Sequence, residues 1–399
     1  MTSRTWLLLL LLITVALRLP TMVGVRRGRG DENAYVFFAH MLDERGITGI
    51  RQLLHDYPTN ENLRQSPLPT RVGFIVPALL TCKVLGGFNV DNLAWLSFAC
   101  GVGLVLIGAR FAENLAGRKI SILCAIFLIT SPLAAAISRR AMEDSFAALA
   151  MLACLYFFDQ CQRRRSIVDL IGIGVSLCVA LLSKESTLLL YPMMAIVAVY
   201  YFRAMKLRPS AWLLAPLIVA PLVYLAIEIA ICGGVANFID TYRTYAAVQP
   251  TLAYTLHFEK GGPWFRYLLD FFAIAPVCFI AAIVGFGGAS KEPFRHARNL
   301  ALIYFATAVL FFGQMPVVNV RLVLFIDMFL RLGAAIAVVD LAARFSQRWS
   351  RGALYVGIAI VVLTDASQFY QIFVRANVYS PATFALLDAE GFYNLENPK

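Results

Sequence analysis

Charged side chains are scarce in this 399-residue sequence: 15% of positions are Asp, Glu, Lys or Arg, against 60% hydrophobic residues and a mean hydropathy of +0.71. A water-soluble domain carries about 25% charged residues, so that class is excluded. The usual conversion of length into domain number does not apply where lipid is the main solvent. Histidine is also rare, at 4 residues, and the 8 cysteines include no CxxC pair. From Cys82 to Cys278 they lie in or beside apolar runs, as small buried hydrophobes and neither zinc ligands nor a disulfide framework. Two further lacks are an internal repeat of the kind that builds a transporter from related halves and a sizeable polar domain after the last apolar run.

What is present is a one-sided distribution of charge. The net charge of +11 comes from short basic clusters between apolar runs: Arg110, Arg118 and Lys119; Arg163 to Arg165; Arg203, Lys206 and Arg208; Lys291, Arg295 and Arg298; Arg344, Arg348 and Arg351. Such loops mark the cytoplasmic face of a membrane protein and argue against a nucleic-acid partner. The loops alternating with them hold most of the acids, so the ionisable chemistry belongs to the outer face.

The expected architecture is an all-α polytopic membrane protein with the amino terminus inside. Its eleven spans are a first one over Trp6 to Val25, then segments at roughly 93–110, 120–137, 146–160, 167–183, 187–202, 212–232, 268–288, 299–315, 322–341 and 352–368. Residues 24–92 form the first external loop, with a short interfacial helix over 33–42 and a Pro-interrupted apolar one over 70–85. Residues 1–210 then make one membrane module, and 211–399 a second with an external loop at 233–267 and a short external tail. Arg18, near the outer end of the first span, is expected to pair with Asp31 or Glu32.

Four outer-face clusters carry candidate chemistry. Gly30-Asp31-Glu32-Asn33-Ala34-Tyr35 sets two carboxylates at the membrane surface, where desolvation is costly and a functional role is the default; the plainer reading is a helix cap at Asp31 with Glu32 favouring the helix's positive end. Arg139, Arg140, Glu143 and Asp144 crowd one short loop, either as site residues or as i,i+4 ion pairs. Lys184 and Glu185 lie between the fifth and sixth spans, where Lys184 alternatively snorkels to head groups. Arg71 follows the rigid Ser66-Pro67-Leu68-Pro69 turn, with Arg321 as a further cation in reserve. The 233–267 loop adds Tyr242, Tyr245, Tyr254, His257, Phe258 and Trp264, as interfacial belt residues or as a lid bending at Gly261-Gly262-Pro263.

Carboxylates and cations on one membrane face suit transfer from a donor whose phosphate is carried on a lipid. Cations stabilise the phosphate as it leaves and a carboxylate takes the proton of the attacking hydroxyl. Phosphate is a good enough leaving group to need no general acid, and direct displacement inverts the sugar carbon. Arg71, Arg139, Arg140 and Lys184 are the phosphate candidates; Tyr35, Glu143, Glu185, His257 and Trp264 are the substrate-contact candidates.

The Asp-Glu pair after the first span, Ser66-Pro67-Leu68-Pro69, Thr130-Ser131-Pro132 through Ser138-Arg139-Arg140-Ala141-Met142-Glu143-Asp144, and Leu182-Ser183-Lys184-Glu185 together resemble the dolichyl-phosphate-mannose protein mannosyltransferase superfamily, which includes the aminoarabinose transferases. The resemblance runs over residues 1 to about 205. It implies the GT-C membrane fold and a glycosyltransferase using a polyprenyl-phosphate sugar donor and a lipid, glycan or protein hydroxyl acceptor. It also implies a multi-pass cell membrane location with the site facing the periplasm or outside. Asp31 matches the family's first-loop aspartate, Asp144 the acid of the second external loop, and Lys184 the lysine after the fifth span, so Asp31, Glu32 and Asp144 are the catalytic candidates. Ser66 departs from the His or Lys that often precedes the proline. No cofactor is implied beyond a divalent cation that Asp31, Glu143 and Asp144 could hold. Competing readings are a lipid-linked oligosaccharide ligase or polymerase, which would show a large late Arg/His-rich loop, and a lipid or sugar transporter or flippase, for which Asp327 and Arg331 are the main charged pair inside a span.

Overall fold

The computed structural model describes residues 3–207, 211–252, 255–259, 263–288 and 292–390, and these contain helices and connecting turns but no β-strand. The chain opens with α1 (Ser3–Arg18), continued by a short 3₁₀ turn to Met22. The external loop follows, with α2 (Asp31–Asp56), α3 (Glu61–Arg64) and α4 (Val72–Val84). The expected 33–42 helix is thus part of a much longer one. Gly46, at φ 59°, supplies a kink that lets α2 continue past the polar stretch where the sequence pattern breaks.

The next layer is α5 (Val90–Ala116), α6 (Arg118–Thr130) and α7 (Pro132–Ser138). Proline at the start of α7 cannot donate to the preceding turn, and α6 and α7 bend by 55° at this break. Ser131 repairs one side of it by accepting from the Ala134 N–H. Arg18 repairs the other. Its guanidinium, 1% exposed, donates to the carbonyls of Leu128 (2.5 Å), Ile129 (3.2 Å) and Gly101 (3.2 Å). The expected pairing of Arg18 with Asp31 or Glu32 is therefore wrong: the carbonyls at the end of α6, where the helix breaks, and that of Gly101 in α5 are the stronger demand.

The remaining helices are α8 (Asp144–Arg164), α9 (Ile167–Ser183), α10 (Leu190–Ala204), α11 (Leu214–Cys232) and α12 (Val235–Val248), then α13 (Arg266–Ile274), α14 (Pro276–Gly287), α15 (Glu292–Phe312), α16 (Asp327–Ala342), α17 (Gln347–Gln368) and α18 (Thr383–Ala389). Helix is found at each of the eleven expected span positions. Among the described residues, six helices are long and apolar enough to cross a membrane, or seven if the bent α6–α7 pair is one span. The others fall short where proline divides them, as at Ala275-Pro276, or where polar groups interrupt, as Asp159 and Gln160 do in α8. Arg331 and Asp327 do neutralise each other in α16, at 3.1 Å, but with Asp365 of α17 as a second partner and Ser131 donating to Asp327 at 2.6 Å.

A charge-assisted hydrogen bond is worth about 1.5–3 kcal/mol. Arg18→Leu is expected to lower the thermal midpoint in detergent by at least one such bond, and Arg18→Lys, with a single ammonium for three carbonyls, to recover part of the loss. A midpoint unchanged in Arg18→Leu would mean that the α6–α7 break is satisfied without it.

Candidate active site

Gly30 enters α2 at φ 45°, a left-handed conformation that favours glycine, and it leaves Asp31 at the first helical position. Gly30 and not Asp31 takes the N-cap position, so the cap reading fails for Asp31. The tethering falls to Glu32: its carboxylate accepts from the N–H groups of Gly28 (2.9 Å), Arg29 (3.3 Å) and Ala141 (3.0 Å) and so clamps the first loop to the α7–α8 loop. Glu32 is fully buried by this work, whereas the Asp31 side chain keeps 26% exposure and faces an open cavity.

That cavity, about 620 Å³, is walled by Asp31, Glu143, Glu185 and Glu259 against Arg29, Arg71, Lys184 and Arg321. Arg71, the residue before α4, forks onto Glu185 through Nε (3.2 Å) and Nη2 (2.9 Å), and donates Nη1 to both Glu143 (3.0 Å) and the Tyr35 hydroxyl (3.0 Å). Tyr245 from α12 sits 3.2 Å from the same guanidinium. Lys184, at the end of α9, binds Asp144 and lies 3.3 Å from Glu143. Arg321, in the turn leading into α16, stands 3.4 Å from Asp31 and 3.9 Å from Asp144. Its buried Nε has no hydrogen-bond partner among the described residues.

Burial pushes the Asp31 carboxyl above its ordinary value; Arg321 opposes this, while Glu143 and Asp144 add to it. Glu143 behaves oppositely. Burial alone would raise it, but Lys184, Arg71 and Arg321 outweigh that and hold it at about 2. The site thus pairs one carboxylate that stays ionised with one that binds a proton more readily.

Of the residues singled out by sequence, Asp31, Arg71, Glu143, Lys184 and Glu185 come together around the cavity, with Tyr35 and Asp144 directly behind them. Arg139 and Arg140 do not line it. Arg139 donates to the Phe373 carbonyl and stacks over Phe369, and Arg140 donates to the Arg26 carbonyl and stacks over Tyr379. Neither forms the i,i+4 pair considered for it, because Arg71, Lys184 and Arg321 already occupy Glu143 and Asp144. Trp264 is 48% exposed and lies outside the cavity wall. The backbone of His257 lies in the Thr255–Glu259 turn, but its side chain, and the Gly261-Gly262 bend of the supposed lid, lie outside the described residues. Among the described residues no group of three or more His, Cys, Asp or Glu is arranged to hold a metal ion; Asp31, Glu143 and Asp144 each face an arginine or lysine instead.

Two wall residues had weak or no signal. Arg321 stands in a short polar gap, Gln314 to Arg321, between two apolar runs, a feature it shares with the other outer loops. Tyr379, whose hydroxyl donates to the Arg29 carbonyl at 2.8 Å, follows the last apolar run in a stretch without any motif.

Residues 75–227 match the family model described as dolichyl-phosphate-mannose-protein mannosyltransferase. Among solved structures, ArnT from Cupriavidus metallidurans in the apo state is similar at 16% identity and a TM-score of 0.53, over 90% of this chain and 63% of that one. The same protein bound to undecaprenyl phosphate gives 15% and 0.55, over 98% and 76%. The Archaeoglobus fulgidus oligosaccharyltransferase tethered with an acceptor peptide gives 11% and 0.63, over 94% and 57%. The chain therefore spans less than two thirds of the apo ArnT and oligosaccharyltransferase chains. No curated protein matches the sequence. The chain shares the GT-C membrane fold of these solved structures, and the segment that matches the mannosyltransferase model runs from α4 into α11.

Because the folded pKa of Glu143 lies below an unfolded value of about 4.3, its ion pairs stabilise the fold above that pH, and the contribution is lost as pH falls toward 2. Glu143→Gln is expected to be less stable at neutral pH, by about 3–5 kcal/mol for a broken buried pair. Its thermal midpoint should also fall less steeply than the wild type's between pH 4.5 and 2. Parallel curves would show that Glu143 does not carry the acid sensitivity.

Proposed function

We propose that the chain is an inverting glycosyltransferase that moves a sugar from a polyprenyl-phosphate donor to a hydroxyl acceptor, with Asp31 as general base. The observation that carries this reading is the Asp31–Arg321 pair in the cavity wall, a partly exposed carboxylate 3.4 Å from a guanidinium that keeps a free buried donor. In the reaction the acceptor oxygen attacks the anomeric carbon as Asp31 takes its proton. The bond from that carbon to the phosphate oxygen breaks with its electron pair on the phosphate, and polyprenyl phosphate leaves. Arg321 and Lys184 stabilise the charge gathering on the departing phosphate. Arg71, saturated by Glu143, Glu185, Tyr35 and Tyr245, instead holds the wall rigid. The matching family model and the GT-C fold support the reaction class. The site faces the periplasm or outside in this reading, with the amino terminus cytoplasmic, and the acceptor is a lipid, glycan or protein hydroxyl.

Asp31→Asn keeps the shape of a side chain outside the N-cap position, so stability is expected to hold while single-turnover transfer from polyprenyl-phosphate pyranoses drops by about 10²–10⁴-fold, the usual worth of a general base. Wild-type transfer by a stable Asp31→Asn protein would remove Asp31 from the mechanism. Since Asp31 must be ionised to act and its pKa is raised, the wild-type rate should fall as pH drops through a value above the ordinary aspartate figure of about 3.9. The orientation has its own test. A cysteine placed at the exposed Glu61 should react with an impermeant reagent outside intact cells, and one at the exposed Arg164 should not; labelling of position 164 from outside would reverse the topology.

A further inference from the structure

A second cavity, of about 570 Å³, shares no wall residue with the first. It opens between the end of the first span, Pro20 to Arg26, and the π-helical turn Phe369–Arg375 that closes the last one. Three arginines reach its wall, Arg26, Arg139 and Arg375, and no carboxylate does. Arg139 is the unusual member. It is 5% exposed, one of its Nη atoms donates to the Phe373 carbonyl, its guanidinium lies 5.0 Å over the Phe369 ring, and its buried Nε has no partner. Among the described residues no acid is paired with it, and the charges acting on it are Arg140 and Arg27, of like sign. A buried cation without a counter-charge is costly, and a π-helical turn is often retained at functional positions. Arg26 and Arg375 are exposed above it. Beside Thr21 and Asn377, the wall has apolar edges of Pro20, Val23, Phe369, Phe373 and Val374, and Val23 and Val374 are turned outward at 81% and 46% exposure.

We infer that this cavity binds the phosphate of an anionic lipid, with Arg139 Nε, Arg26 and Arg375 as its donors and the Pro20–Val23 and Phe369–Val374 edges against the lipid's hydrocarbon. Guanidinium forks fit phosphate oxygens, and partial burial strengthens the contact. An apolar rim facing outward selects a phosphate carried on a chain. The phosphate comes either from bulk phospholipid or from a polyprenyl phosphate. The inference stands apart from the proposed reaction, since it uses no residue of the first cavity.

The test titrates phosphatidylglycerol, undecaprenyl phosphate and, as an uncharged control, diacylglycerol into delipidated full-length protein, and reads bound lipid by native mass spectrometry. The comparison is wild type against Arg26→Gln/Arg375→Gln, two exposed changes that leave the fold intact, and against Arg321→Gln in the first cavity. Losing two charge-assisted donors should weaken the phosphate-bearing lipids at least about tenfold and leave diacylglycerol unchanged, and for phosphatidylglycerol the loss should be absent in Arg321→Gln. Whichever of the two phosphates loses more affinity in the double variant identifies the source. The inference is overturned if the double variant binds both phosphate lipids within twofold of wild type, if diacylglycerol is weakened equally, or if Arg321→Gln abolishes phosphatidylglycerol binding.

Discussion

The fork of Arg71 onto Glu143 and Glu185 is the contact on which the active end of this molecule depends. It joins the start of α4, the loop before α8 and the connection from α9 to α10, three pieces separated by long stretches of membrane helix. Tyr35 from α2 and Tyr245 from α12 close on the same guanidinium. In a low-dielectric setting an unpaired charge costs several kcal/mol, so each of these elements is held where its partner is. Lys184 extends the network to Asp144, and Arg321 extends it again to Asp31. The cavity wall is the exposed edge of one continuous chain of ions.

That continuity divides the labour among groups that look alike in sequence. Asp31 and Glu32 are neighbours, yet Glu32 is spent on three backbone N–H groups and Asp31 is left facing open space. Glu143 and Asp144 are also neighbours, and both are held by cations. The proposed reaction needs a carboxylate that is not fully satisfied, and among these four Asp31 has the greatest exposure and, among the described residues, a single ionic partner at 3.4 Å. The arginines divide in the same way: Arg71 is saturated, Arg321 retains a free donor, Arg139 turns to the Phe373 carbonyl and the Phe369 ring, and Arg140 to the Arg26 carbonyl and the Tyr379 ring.

The membrane imposes the same rule away from the site. At the α6–α7 break, backbone carbonyls that water would satisfy in a soluble protein are satisfied by Arg18, and Arg331 is held between Asp327 and Asp365 across α16 and α17. Charges inside such a bundle are read more safely by asking which polar groups lack water than by asking which opposite charge is near in sequence.

Much of the fold was legible before any coordinates. Long apolar runs have one outcome in lipid, so helix stands at each expected span position. Basic and acidic loops alternate, so Asp31, Glu143, Lys184 and Glu185 were assigned to one face, and the structure brings them within one wall. Helix extent was less legible: α2 runs through a polar stretch because a single glycine absorbs the kink. What only the tertiary structure decided is which charge meets which. Arg321 and Asp31 are 290 positions apart and touch because the turn before α16 reaches the start of α2; Arg139, five residues before Asp144, points elsewhere. Helix formation is written in local periodicity and run length. Ion pairing is settled by where helix ends come to rest, and the local sequence carries almost no record of that.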